Sequence, residues 1–174
     1  IITPHWLQIM VGYAMQPHIG AVGTKLLYPD NTVQHAGIIL GIGGIAQHCF
    51  IDNPRDDVGF YGRLSVPFNY SAVTAACLMV SKEKYLEVNG LEEDLQVAFN
   101  DVDFNLKLLK QGYYNICLNH VELYHHESKS RGDDTVDTSS AKYRRFVQEH
   151  DYIKDKWGYM LYNDRFYNPN LSLK

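Results

Sequence analysis

The sequence predicts an α/β domain in which helices flank a mixed sheet. Apolar residues recur with helical spacing in some segments, and short apolar runs typical of strands lie between them. A chain of 174 residues with 45% hydrophobic content is long enough for one domain with a sizeable core. A net charge of −4 argues against nucleic acid as a partner. No apolar run approaches the roughly 18 residues that a membrane-spanning helix needs.

The first 80 residues are expected to contain one helix, a hairpin and a buried strand. Capping residues, turn residues and apolar runs mark the boundaries of these elements. In order, they are a helix from Thr3-Pro4 to Pro17, strands at 19–28 and 33–40, an irregular stretch at 41–70 and a strand at 72–80. The pattern Gly41–Ala46 has dinucleotide-binding spelling, but no helix is expected directly after it, so that interpretation is disfavoured.

The second half is expected to alternate helices and strands. In order, the elements are a short helix from Ser81 to Gly90, a helix from Asn100 to Gly112, extended chain at 114–118 and 121–124, and a helix at 141–157. Asn100 is the expected N-cap of its helix, with Asp103 at the third helical position as in a capping box. The cysteines are odd in number, widely spaced and without a C-x-x-C pair, which is typical of free thiols in a reducing compartment.

Two short runs carry candidate chemistry. Asp101 lies at a helix start, where a carboxylate could act as a general base or could simply complement the helix dipole. His125 and His126 follow a strand, together with His120 further upstream. Adjacent residues of a strand point to opposite faces, so His125 and His126 are not expected to bind one metal ion together. A structural histidine and a single metal contact both stay open as interpretations.

An ordered series of motifs resembles the family 2 glycosyltransferases of the GT-A fold. The motifs lie at 20–30 (GAVGTKLLYPD), 34–37 (QHAG), 69–80 (NYSAVTAACLMV), 89–95 (NGLEEDL), 99–104 (FNDVDF) and 124–128 (YHHES). Within that family the chain is most similar to rhamnosyltransferase-type and other bacterial enzymes of cell-surface polysaccharide synthesis. The resemblance implies the C-terminal, acceptor-side part of a nucleotide-diphospho-sugar transferase fold.

The resemblance also implies an inverting transfer of a sugar from a nucleotide-diphosphate donor to a saccharide or lipid-linked acceptor. Asp101 falls on the family's catalytic base, and Asn100 stands where the family has Glu. A divalent cation, Mg²⁺ or Mn²⁺, is expected to offset the charge of the leaving diphosphate, with His125, or alternatively His126, as a contact. The expected substrate contacts are Thr74, Ala75, Asp94, Asn100 and Arg131.

One partial domain is expected over residues 1–174. It divides into a helix at 1–16, strands and a long loop at 19–80, the base and histidine motifs at 81–135, and a C-terminal helix and tail at 136–174. No D-x-D motif lies upstream of Asp101, and the chain opens at Ile1 rather than Met. We therefore expect a piece of a longer protein that is inactive without its N-terminal nucleotide-binding half. An exposed sheet edge then predicts self-association of the isolated piece.

The resemblance implies a cytoplasmic location, with the inner face of the membrane as the alternative. Two other functions stay open at the level of sequence. One is a non-catalytic domain that binds a saccharide or a partner chain. The other is a zinc hydrolase that would use His120, His125 or His126.

Overall fold

The computed structural model of the chain describes residues 1–126 and 139–173. In chain order the elements are α1 (Trp6–Ala14), β1 (Ile19–Leu27), β2 (Val33–His35), β3 (Ile38–Leu40), β4 (Ala46–His48), β5 (Pro67–Tyr70), β6 (Leu78–Met79), α2 (Lys82–Glu87), α3 (Asn100–Lys110), β7 (Tyr114–Tyr124) and α4 (Ala141–Leu161). The predicted α/β class is confirmed.

The main sheet is mixed, and the fully buried strand β1 lies at its centre. Strand β1 runs parallel to β7, and it pairs antiparallel with β2 through its C-terminal half and with β6 through its N-terminal half. Strand β5 runs antiparallel to β7, which gives the order β2-β1-β7-β5. Strand β1 is buried along its whole length, so the polar Lys25 within its apolar run needs a partner, and it pairs with Glu122 of β7 at 2.7 Å.

Helix α3 packs between the sheet and α4. Its apolar stripe, formed by Val102, Leu106 and Leu109, is buried against Ile153 and Trp157 of α4. The predicted apolar stripe of α3 and the predicted C-terminal helix are both confirmed. Apolar residues at helical spacing over ten or more residues are a strong indication of a helix. Burial of each such side chain contributes roughly 1.5–3 kcal/mol. This packing holds the N-terminus of α3 in place.

The predicted start of the first helix is wrong. The helix begins at Trp6, after His5 in a left-handed conformation (φ 58°), and the Oγ1 atom of Thr3 accepts a hydrogen bond from Glu122 N of β7 at 2.8 Å.

The strand expected at 33–40 is divided between two sheets at Gly37 (φ +116°), where an added Cβ would clash with the ring of Tyr70.

The prediction of a strand at 72–80 is also wrong. Residues 75–77 form a 3₁₀ turn, and only Leu78–Met79 pair as a strand. The stretch 41–70 was expected to be irregular, yet it contains β4 and β5. One backbone hydrogen bond joins the extended segment 71–75 to β3, from Ile38 N to Ala72 O at 3.0 Å. Its other backbone contacts include side chains of Asn105 and Asn115, and a run of apolar residues gives no sign of these.

Helix α3 is not capped by Asn100. Phe99 occupies the N-cap position in a left-handed conformation (φ 61°) without a side-chain hydrogen bond, and Asn100 is already helical. The predicted cap of α2 is confirmed, since Ser81 Oγ accepts from Lys84 N at 3.4 Å. Among the helices that the structure describes, none is long and apolar enough to cross a membrane.

Candidate active site

The carboxylate of Asp101 is fixed at the N-terminus of α3. Its Oδ2 atom accepts a hydrogen bond from Ala75 N at 3.1 Å, and its Oδ1 atom accepts one from Val102 N at 2.8 Å. The positive end of the helix dipole favours a negative charge at this position. A carboxylate can accept about four hydrogen bonds, so this half-exposed group keeps capacity for a further donor.

Asparagine side chains hold the extended segment 71–75 beside Asp101. Asn105, one turn after Asp101, donates to Val73 O at 3.0 Å and accepts from Val73 N at 3.2 Å. Asn115 donates to Ser71 O at 3.0 Å. Alternate residues of the segment are therefore bound in succession, which sets the register of the segment against α3.

This register brings together three of the predicted site residues. Ala75 is exposed and contacts Asp101 through its backbone amide. Thr74 is buried, and its Oγ1 atom accepts from Ala76 N at 3.3 Å, so that hydroxyl stabilises the 3₁₀ turn. Ala75 therefore meets the carboxylate through its backbone, while Thr74 supports the turn in which Ala75 lies.

Strand β2 connects the Asp101 region with His125. On one side, His35 Nε2 accepts from Thr74 N at 3.5 Å. On the other, Gln34 Oε1 lies 2.8 Å from Nδ1 of the half-buried His125. Gln34 and His35 belong to the motif at 34–37, but no role was expected of either side chain. The sequence does show one sign of them, because they are two adjacent polar residues in the otherwise apolar run 33–40.

The buried imidazole of His35 is neutral. Burial lowers its pKa well below the usual 6.5, and the neighbouring His48, whose ring lies 4.7 Å away, lowers it further. Since Nε2 accepts from Thr74, the ring proton is on Nδ1. Nδ1 is buried and has no hydrogen-bond partner among residues 1–126 and 139–173. His35 therefore supports the segment as an acceptor, without adding charge near Asp101.

The contact with Gln34 fixes the tautomer of His125. An amide oxygen accepts, so Nδ1 of His125 donates to Gln34, and Nε2 is the ring nitrogen that is not used in this contact. The backbone amide of His125 donates to Leu27 O at 2.9 Å, which anchors the residue at the end of β1. His126, the alternative contact, is exposed.

A complete metal site is not assembled by the described part of the chain. In residues 1–126 and 139–173 no three or more His, Cys, Asp or Glu side chains are grouped so that they could bind a metal ion. His125 is therefore at most one contact within these residues.

Three further site residues were predicted: Asn100, Asp94 and Arg131. Asn100 is half-buried in the first turn of α3, and Asp94 is exposed in a turn of the loop between α2 and α3. Arg131 lies outside the described residues.

Asp103, by contrast, is fully buried. It accepts from Trp157 Nε1 at 2.8 Å and forms ion pairs with Lys107 at 3.0 Å and Lys156 at 2.9 Å. These contacts give Asp103 a structural role.

Two curated proteins are similar to the chain, while no protein-family model matches it. The uncharacterized protein y4gI of Sinorhizobium fredii is 46% identical over 175 residues, which cover 100% of this chain and 19% of that protein. The O-antigen biosynthesis protein RfbC of Myxococcus xanthus is 35% identical over 180 residues, which cover 99% of this chain and 13% of that protein. The chain thus spans less than a fifth of each relative's length.

Proposed function

We propose that the chain is the acceptor-side, base-bearing part of an inverting glycosyltransferase of the GT-A type that acts in the synthesis of a cell-surface polysaccharide. The observation that carries the proposal is the Asp101 carboxylate, held by Ala75 N and Val102 N at the start of a helix and half-exposed. Similarity to an O-antigen biosynthesis protein over 99% of the chain supports polysaccharide synthesis as the setting.

In the proposed reaction, Asp101 accepts the proton of an acceptor hydroxyl. The hydroxyl oxygen attacks the anomeric carbon, the bond from that carbon to the diphosphate oxygen breaks, and the nucleoside diphosphate leaves with the bonding electrons. Attack opposite the leaving group inverts the anomeric configuration. A carboxylate already bound by two backbone amides requires little reorganisation to act as a general base.

The acceptor is proposed to be a saccharide or a lipid-linked saccharide. The proposed substrate contacts are Thr74, Ala75, Asp94, Asn100 and Arg131. The donor is proposed to be a nucleotide-diphospho-sugar bound mainly by another part of the protein. His125, or alternatively His126, would contact the diphosphate or its Mg²⁺ or Mn²⁺ ion. Since the described residues do not form a complete metal site, the principal ligands would have to come from elsewhere.

The test uses the full-length protein with a panel of nucleotide-diphospho-sugars and a lipid-linked saccharide. Acceptor-dependent release of a nucleoside diphosphate, with an inverted anomeric proton coupling in the product by NMR, is the expected result. Saccharide binding without release of the nucleotide would instead support a non-catalytic binding domain. Zinc-dependent hydrolysis without a sugar donor would support the hydrolase alternative.

A further inference from the structure

Helix α4 contributes a buried carboxylate to the loop that leads into the candidate site. Glu149, 3% exposed, accepts hydrogen bonds from three consecutive backbone amides: Gln96 N at 3.1 Å, Val97 N at 3.2 Å and Ala98 N at 2.6 Å. Three successive amides that converge on one anion form a nest, an arrangement that binds a negative charge strongly. The nest is occupied here by a side chain of the same chain.

The loop bound by Glu149 ends directly before Asp101. Phe99, the next residue after the nest, adopts a left-handed conformation (φ 61°) that is uncommon for a bulky side chain. Its ring packs against Phe146 and His150 of α4, with ring centroids 5.7 and 6.4 Å apart. Helix α4 therefore holds both the backbone amides and the side chain at the point where the loop becomes α3.

The same loop has a second attachment to α4 at its other end. Glu92 accepts from Lys156 at 2.7 Å, and Lys156 in turn pairs with the buried Asp103 at 2.9 Å. Between these attachments lies the exposed Asp94. Residues 91–99 form neither helix nor strand, so side chains of α4 supply contacts that regular secondary structure would otherwise provide.

A buried carboxylate carries a cost in free energy that an apolar residue of the same volume does not, because its charge must be removed from water. Its advantage is directional: only an acceptor can bind three amides at once and so fix the backbone of the loop. We propose that Glu149 is a positioning residue that fixes the loop 91–99 and, through Phe99, the orientation of Asp101 towards the acceptor. This inference rests on the proposed function, and Glu149 acts through Asp101 rather than on the substrate.

The experiment compares Glu149→Gln with Asp155→Asn in the full-length protein. Asp155 is an exposed carboxylate of the same helix, so both changes remove one negative charge from α4. Hydrogen exchange of the amides of 96–98 reports on the loop without any assay of activity. Steady-state kinetics with the donor and the acceptor varied separately report on positioning. Glu149→Asp, which keeps the charge but shortens the side chain, serves as a milder variant if Glu149→Gln does not fold.

In Glu149→Gln we expect faster exchange at 96–98, a fall of kcat of about tenfold or more, and a raised acceptor KM, because small displacements of catalytic groups reduce rates by such factors. The donor Kd should stay within about twofold of the control. Glu149→Asp should show a smaller loss in the same direction. Suppose that the wild type transfers sugar. If kcat and the acceptor KM of Glu149→Gln then match those of Asp155→Asn, the positioning role of Glu149 is wrong. If the wild type transfers no sugar, the proposed function fails, and unchanged exchange at 96–98 would then overturn the contact itself.

Discussion

Two carboxylates, Asp101 and Asp103, are separated by one residue of α3 and have opposite environments. Each residue of a helix is rotated by about 100°, so these two side chains point to nearly opposite sides. Asp103 enters the core between α3 and α4, while Asp101 remains half-exposed beside Ala75. Sequence spacing alone shows that the two differ, but it cannot show which one is buried, because that depends on where α4 packs.

Removal of the Asp103 carboxylate should destabilise the fold. Asp103→Ala leaves Trp157 Nε1 without its acceptor and takes one carboxylate from Lys107 and Lys156, which keep Glu92 as a partner. Breaking a buried ion pair from one side costs about 3–5 kcal/mol. We expect a loss of that order in the free energy of unfolding measured by urea denaturation, against less than about 0.5 kcal/mol for the exposed Asp155→Ala. A loss below about 1 kcal/mol would show that Asp103 is not a structural anchor.

His35 should make stability depend on pH on the acid side of neutrality. Its pKa in the folded state lies well below the usual 6.5, because of burial and then of His48. The unfolded chain therefore binds the extra proton first, and stability falls as the pH falls below 6.5. One such group accounts for about 1 kcal/mol between pH 6.5 and 5.5.

The check is urea denaturation at both pH values for His35→Gln and for His18→Gln, which alters an exposed histidine. The His35 variant should lose about 1 kcal/mol less than the wild type over this interval. The His18 variant should show the wild-type dependence. Equal pH dependence in both variants would contradict a neutral His35.

At the scale of elements, segments with a sustained helical period or a clear cap could be predicted, and a segment bound by distant side chains could not. Helices α3 and α4 follow from apolar residues at helical spacing over ten or more residues. Strand β7 was expected as two extended runs, at 114–118 and 121–124, and the structure joins them into one strand. The segment 71–75 could not be predicted, because its backbone is bound by Asn105 and Asn115, which are 30 or more residues away in the sequence. No local pattern indicates such contacts.

Strand β1 requires glycine where the segment 71–75 crosses it. A Cβ at Gly23 would lie 2.7 Å from Cβ of Val73, which Asn105 holds in place. Gly23→Ala should therefore cost about 1–3 kcal/mol, as overpacking does in other cores. Gly12 in α1 is the matched control: a Cβ there meets nothing within 4 Å, and alanine should stabilise the helix by roughly 0.5–1 kcal/mol.

Thermal or urea denaturation of the two alanine variants decides this prediction. The expected result is an opposite sign of the change in unfolding free energy for the two positions. A neutral Gly23→Ala would mean that the segment 71–75 moves away from β1 without cost, and that its register against α3 is not fixed.

At the scale of the whole molecule, the described residues bring several candidate site residues onto one connected framework. The base candidate, the backbone beside it and the connection through Gln34 to His125 lie in the described residues. Asp101 contacts the backbone of Ala75, and the roles expected of Asp101, Thr74 and Ala75 from the family resemblance stay predictions. The connection through Gln34 and His35 did not follow from the sequence, since it depends on side-chain directions at a three-residue strand. The two curated relatives are each more than five times as long as the chain.

Sugar transfer by Asp101→Asn in the full-length protein shows whether Asp101 is the general base. The amide keeps the shape of the side chain but cannot take a proton from an acceptor hydroxyl. We expect kcat to fall by about 100-fold or more, with the donor Kd and the free energy of unfolding close to those of the control Asp155→Asn. Turnover near that of the wild type, with a correctly folded variant, would contradict the assignment.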